Sequence, residues 1–258
     1  MRIPVIVHRC RTLRHGRVVL ARGLWAVAEA AVTFGVVVLL LVAHQLWWTN
    51  RQARDGAQRQ VRALEREWGR AAPAEHGRDP GDGAATPEAE GTDGGAGAMA
   101  PSRREAPRWE RAYAILRVPR LGLVAPVAEG TAKRGVLDKG YVGHYEGTAQ
   151  PGQPGNFAVA GHRNTHGEPF RYINRLRAGD TVEVETRDAV FTYRVDKRLP
   201  QTSARDGGVI AAVPLSSVKP EYGYGGPGYY LTMTTCTPEY TSKYRLVVWG
   251  KLASVRPR

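Results

Sequence analysis

Cys236 closes an alternating run, Tyr230-Leu231-Thr232-Met233-Thr234-Thr235-Cys236, and Arg245 follows nine residues later. Alternation puts Tyr230, Thr232, Thr234 and Cys236 on one face of a strand and Leu231, Met233 and Thr235 on the other. If residues 237–244 form a hairpin loop, positions 236 and 245 lie symmetrically about its midpoint and become cross-strand neighbours. A thiol beside a guanidinium is the pairing required of a thiolate nucleophile and a cation that stabilises an oxyanion. The other cysteine, Cys10, lies before a long apolar segment. A membrane at that segment separates the two sulfurs and leaves Cys236 a free thiol in a compartment where cysteines are usually paired.

A thiol with an ordinary pKa of about 8.5 gains from a neighbouring imidazole. Beyond residue 48 the histidines are His76, His144, His162 and His166. His76 sits in a stretch without hydrophobic pattern and is set aside. His162 follows the strand-like Asn156-Phe157-Ala158-Val159-Ala160-Gly161, and a strand end presents its next side chain to a cleft. Each residue alone also has a structural reading: a small buried thiol, a surface turn, a solvated guanidinium. His162 and His166 are four apart, and Cys236 makes a third potential metal ligand. Gly167 and Pro169 argue against a helical His-x-x-x-His face, and no acidic or cysteine cluster joins them, so no metal and no other cofactor is expected.

The elements that must position these groups begin near Trp109, where short alternating strands separated by Gly and Pro turns take over. Expected strands are Ala114 to Val118, Asn156 to Gly161, Thr181 to Thr186, Val190 to Val195, Tyr229 to Thr235 and Arg245 to Trp249. Between them, Pro169 to Leu176 reads as a short helix with Phe170, Ile173 and Leu176 on one side, closed by Gly179-Asp180. Many short strands with brief helices predict a mostly β fold, an antiparallel or mixed barrel.

Ahead of the barrel, Leu24 to Ala43 is a run of 20 residues broken only by Glu29. At about 1.5 Å per residue it spans about 30 Å, the thickness of a bilayer core. Trp25, Trp47 and Trp48 flank it as interfacial residues do, and Glu29 is shallow enough to reach the headgroups. Arg2, Arg9, Arg11, Arg14, Arg17 and Arg22 precede the run, while Arg51, Arg54, Arg59 and Arg62 follow it. That bias predicts a cytoplasmic N-terminus and an extracytoplasmic barrel. No small-x-small site follows Ala43, so the segment reads as an uncleaved anchor rather than a signal peptide. Residues 50–68 are polar and predict a juxtamembrane helix emerging into solvent, ended by Gly69. Residues 70–107, rich in Gly, Ala, Pro, Asp and Glu, read as a flexible tether. The expected division is therefore a cytoplasmic segment 1–23, an anchor 24–48, a helix and linker 49–107, and a catalytic domain 108–258.

Net charge is +13, distributed as +8 over residues 1–70, −4 over 71–107 and +9 over 108–258. A basic domain suits nucleic acid, anionic lipid or an anionic wall polymer. The absence of an aromatic and basic stripe, and the expected topology, exclude nucleic acid as a partner.

With these residues in view, residues 110–254 resemble the sortases, and within them class E. The resemblance rests on Leu231-Thr232-Met233-Thr234-Thr235-Cys236-Thr237-Pro238, on Tyr244-Arg245-Leu246-Val247-Val248, and on Gly155-Asn156-Phe157 through Ala160-Gly161-His162-Arg163. Gly167-Glu168-Pro169-Phe170 and the Leu176 to Asp180 segment add to it. Met233, where Leu is commoner in the family, is a departure expected to point away from the site. The resemblance implies an eight-stranded sortase β-barrel and a cysteine transpeptidase of the peptidase-type hydrolase class. Cys236 would attack the Thr-Gly carbonyl of a C-terminal sorting signal of the Leu-Ala-x-Thr-Gly kind, on a secreted protein, and form an acyl-thioester. His162 would serve as acid and base, Arg245 would stabilise the oxyanion, and a peptidoglycan-precursor amine would accept the acyl group. Tyr145, with core packing as its alternative role, is a candidate for reading the second motif position, and Thr235 for orienting the thiol.

Two other readings stay open from the residues. A wall-remodelling cysteine peptidase or L,D-transpeptidase uses the same nucleophile, although its usual Ser-x-Gly-Cys arrangement is replaced here by Thr234-Thr235-Cys236. A tethered, non-enzymatic barrel binding an anionic polymer is the third.

Overall fold

The computed structural model describes residues 11–71 and 111–258. His76 and the expected tether from residue 72 onward lie outside the described residues. Helix α1 runs Arg11–Ala71, and the chain divides into Met1–Trp48 and Thr49–Arg258.

In the first unit Leu24, Trp25, Phe34, Leu39, Leu40 and Leu41 are all exposed. A helix whose described side chains are apolar and exposed on every side has the surface of a membrane span, and it is long and apolar enough to be one.

The second unit is a closed barrel of eight strands: β1 Ala112–Val118, β2 Leu123–Glu129, β3 Val142–His144, β4 Gly155–Ala160, β5 Thr181–Glu185, β6 Ala189–Ser203, β7 Tyr229–Thr237 and β8 Tyr244–Pro257. Neighbours around the barrel run β1-β2-β3-β4-β7-β8-β6-β5. The β2–β3 and β4–β7 pairs are parallel, and β5 closes on β1 antiparallel. Alternation fills the interior with Leu116, Val127, Phe157, Val159, Leu231, Met233, Leu246 and Val248. The outer face of β6, β7 and β8 is covered as well: Leu199, Tyr230, Val247 and Trp249 pack with Val209 and Tyr224 from the β6–β7 connection.

β2 and β3 were not expected. β2 carries Pro126, which removes a ladder donor and breaks the strand pattern, and β3 has only three residues. The helix expected over 169–176 is a single 3-10 turn, Ile173–Arg175. Glu168 just before it takes a left-handed φ of 54°, so no helical turn propagates from there. Phe170, Ile173 and Leu176 nevertheless face the interior together.

The helix expected to emerge into solvent instead packs on the barrel. Ala53, Ala57, Val61, Leu64 and Trp68 are buried along one side of α1, and Val61, Leu64 and Trp68 pack with Ala112 and Ile115 of β1. Arg117 extends the contact with ion pairs to Glu65 at 2.5 Å and Glu185 at 3.1 Å. The compact unit thus starts at Thr49, well before the domain start expected at residue 108.

Candidate active site

β7 and β8 pair with Cys236 opposite Arg245, as the symmetric loop predicts, and Pro238 to Lys243 form the turn. On the other side of β7, the parallel register pairs Ala158 with Thr232 and Ala160 with Thr234. The register ends there, and the chain continues through Gly161 to His162 next to the end of β7. Three local contacts hold it there. Gly161 N donates to Thr234 O at 3.2 Å, Thr235 Oγ1 donates to Gly161 O at 2.8 Å, and Arg163 Nη1 donates to Cys236 O at 3.2 Å. Cys236 and Arg245 thus lie on adjacent strands, on the outer barrel face that also carries Tyr230, Val247 and Trp249, and His162 follows the end of β4, the strand on the other side of β7. Cys236 is half-buried and unpaired.

Gly161 is required by packing. A Cβ there would sit 2.8 Å from the Phe170 ring, and that ring closes the turn on which His162 stands, with Phe170 N bonded to His162 O at 3.0 Å.

His162 Nε2 lies 2.8 Å from Asp138 Oδ1. Burial pushes the His162 pKa below the ordinary imidazole value, while the Asp138 hydrogen bond and charge oppose the shift without cancelling it. The neutral ring donates from Nε2 to the carboxylate, and Nδ1 is then the basic nitrogen. Asp138 lies on the 3-10 turn Leu137–Lys139, 24 residues from His162, and no spacing in the sequence pointed to it.

Arg245 curls toward its own turn. Its Nη1 donates to Ser242 O at 2.9 Å and Tyr244 O at 3.0 Å. Tyr145 is half-buried, with its hydroxyl 2.9 Å from Thr234 Oγ1, on the same face as Cys236 and one strand pair away. Thr235 is buried on the inner side of β7, its hydroxyl bonded to Gly161 O rather than turned to the thiol. His144 is fully buried: Nδ1 lies 2.8 Å from Glu129 Oε2 and 3.0 Å from Tyr113 Oη, and Nε2 lies 3.1 Å from Ala149 O. It ties strands together away from the thiol.

A Sortase domain profile matches residues 116–253. The chain belongs to the sortase family. It is 42% identical over 238 residues to Sortase SrtE1 of Streptomyces coelicolor, covering 90% of this chain and 58% of that one. It is 32% identical over 244 residues to Sortase SrtE2 of the same organism, covering 93% and 85%. The crystal structure of sortase E1 from Streptomyces coelicolor with a tripeptide in the active site superposes with a TM-score of 0.55 at 51% identity, over 58% of this chain and 92% of that one. Sortase E from Streptomyces avermitilis gives 0.51 at 42% identity, over 58% and 92%. These relatives make the chain a class E sortase, and it spans only 58% of the length of SrtE1.

In this sortase two residues that the sequence reading left without a role hold the site together. Arg163 is buried and, besides the Cys236 carbonyl, donates to Thr237 Oγ1 at 2.9 Å, clamping the end of β7. Glu168 is buried and gathers Asn50 Nδ2 at 2.9 Å, Arg54 Nη2 at 2.9 Å and Arg171 Nη1 at 2.7 Å. Arg54 Nε also donates to Gly167 O at 3.1 Å. The α1 segment just past Thr49 is thereby fastened to the loop that begins with His162. It also abuts the Asp138 turn, where Gly140 (φ 78°) lies so close that a Cβ would meet Ala53 O at 2.9 Å.

Proposed function

We propose that this sortase is a membrane-anchored cysteine transpeptidase that cleaves a C-terminal sorting motif of the Leu-Ala-x-Thr-Gly kind between Thr and Gly and transfers the acyl group to a cell-wall amine. The observation that supports the reading is Cys236 paired opposite Arg245 on β7 and β8, with His162 just past the end of β4 between two residues, Gly161 and Arg163, that bond to the end of β7. An imidazole kept neutral by burial takes the Cys236 proton, and Sγ attacks the Thr carbonyl carbon. The oxyanion gathers the Arg245 guanidinium, which leaves the Ser242 and Tyr244 carbonyls for it. Collapse breaks the Thr-Gly bond, and the Gly amine departs with the His162 proton, leaving an acyl-thioester on Cys236. An acceptor amine gives a proton to His162, attacks the thioester and forms the new amide, and the thiol is restored. Asp138 holds the imidazole by its Nε2 proton throughout.

Tyr145 reads the second motif position from the Thr234 side, and Thr235 acts through Gly161 to hold the strand end that bears His162. The apolar stretch of α1 lies in lipid with the N-terminus cytoplasmic and the barrel outside, where secreted proteins bearing sorting signals and a peptidoglycan-precursor amine meet it.

The test is incubation with paired Leu-Ala-x-Thr-Gly and Leu-Pro-x-Thr-Gly peptides and an amine acceptor, with products read by mass spectrometry. Cleavage after Thr, with acyl transfer favouring the Leu-Ala peptide, supports the reading; cross-linked muropeptides instead, from a wall digest, would replace it.

A further inference from the structure

The His162 turn contains a second histidine that the transpeptidation steps do not use. His166 takes a left-handed φ of 51°, a conformation unfavourable for a non-glycine residue, and Gly167 follows it at φ 84°. That double reversal replaces the helical spacing ruled out from the sequence and turns the His166 ring back to 5.4 Å from the His162 ring. His166 Nδ1 is buried without a hydrogen-bond partner. It lies 3.6 Å from Asp138 Oδ1, the same oxygen that stands 2.8 Å from His162 Nε2. A ligand atom from each of the three side chains lies within 4.8 Å of the others.

We propose that Asp138, His162 and His166 form a zinc-class divalent metal site that shuts the enzyme off by occupying His162. Zinc takes imidazole nitrogen and carboxylate oxygen at about 2.0–2.2 Å, which sets tetrahedral donor atoms about 3.3 Å apart. The two separations to Asp138 Oδ1, 2.8 Å and 3.6 Å, bracket that value, and all three donor atoms already lie within 4.8 Å of one another, so side-chain rotation rather than backbone movement completes three ligands. The side chains are 17%, 28% and 31% exposed for His162, Asp138 and His166, open enough for a hydrated ion to enter and keep a water as fourth ligand. Lys133 is near enough to act on His162 electrostatically, and the Asp138 carboxylate offsets it. Coordination moves the ring proton from Nε2 to Nδ1. With one nitrogen on the metal and the other protonated, no lone pair remains to accept the thiol proton. Only the inhibition rests on the proposed role of His162 as base; the metal binding does not.

The first measurement is calorimetric titration of Zn2+ into the full chain in detergent micelles, carrying Cys236→Ala so that the thiol takes no metal. Other histidines contribute equally to every variant, so the difference is the readout. Adding His166→Ala or Asp138→Asn should remove one site or weaken it by at least about tenfold. Identical isotherms for all three chains overturn the proposal whatever the enzyme does. The second measurement follows peptide cleavage by the chain with Cys236 intact. Zn2+ should silence it and a chelator restore it, while His166→Ala retains its own metal-free rate at the same Zn2+. Equal zinc sensitivity of His166→Ala would assign the inhibition to Cys236 alone and overturn the switch. If no chain cleaves peptide, the proposed activity fails, and calorimetry alone decides the metal site.

Discussion

Glu168→Gln tests whether the α1 segment past Thr49 holds the turn that carries His162. The carboxylate has a side chain only 4% exposed and anchors Asn50, Arg54 and Arg171 at 2.9, 2.9 and 2.7 Å. The Arg54 arm is discounted, because its side chain is 55% exposed and such pairs contribute about 0–1 kcal/mol. The Arg171 arm, 29% exposed, is a charged hydrogen bond to a buried acceptor, for which about 1.5–3 kcal/mol is the upper range. Glutamine keeps one acceptor and the shape, so a loss of about 1–3 kcal/mol is expected. For a folded unit of this size each kcal/mol lowers Tm by about 2–4 °C, giving a drop of about 2–12 °C in a thermal melt. The same turn carries His162, so kcat/KM for the sorting peptide should fall by about tenfold or more. Glu168→Gly should be less destabilising than Glu168→Ala, since glycine relieves the left-handed backbone. Unchanged Tm together with unchanged kcat/KM in Glu168→Gln would refute the claim that this carboxylate fastens the helix to the site.

Arg245→Lys should lower kcat by about tenfold or more with little change in Tm, because a point charge does not replace the planar fork; steady-state kinetics beside a melt decides it. Asp138→Asn removes the hydrogen bond and charge that raise the His162 pKa against burial. The acid limb of the pH–rate profile should therefore move to lower pH while kcat falls; an upward move contradicts the assigned partner. Tyr145→Phe loses the Thr234 hydrogen bond, at about 1 kcal/mol of stability, and should narrow the preference for the Leu-Ala peptide in a competition assay.

The legible parts of this molecule were those governed by short-range geometry. The Cys236–Arg245 pairing followed from a loop symmetric about its midpoint, and the inward Leu231, Met233, Leu246 and Val248 followed from alternation. The position of His162 just past a strand end was legible because the run Asn156 to Gly161 precedes it. Asp138 was not, because it reaches His162 through the fold rather than through spacing. The buried side of α1 was hidden for a different reason. Ala53, Ala57, Val61, Leu64 and Trp68 recur at helical spacing, but two are alanines and arginines surround them, so the segment reads as polar. Pro126 concealed β2, and the left-handed Glu168 reduced the expected helix to one turn.

Transpeptidation by this route passes through a covalent acyl group on Cys236, assisted by a neutral His162. Intact-mass measurement of the full chain, quenched in acid soon after addition of a Leu-Ala-x-Thr-Gly peptide, tests it most directly. The expected adduct equals the peptide fragment ending in Thr, less water, is absent in Cys236→Ala and is discharged by an added amine. The same adduct on the Cys236→Ala chain, or peptide turnover by that chain, would contradict it.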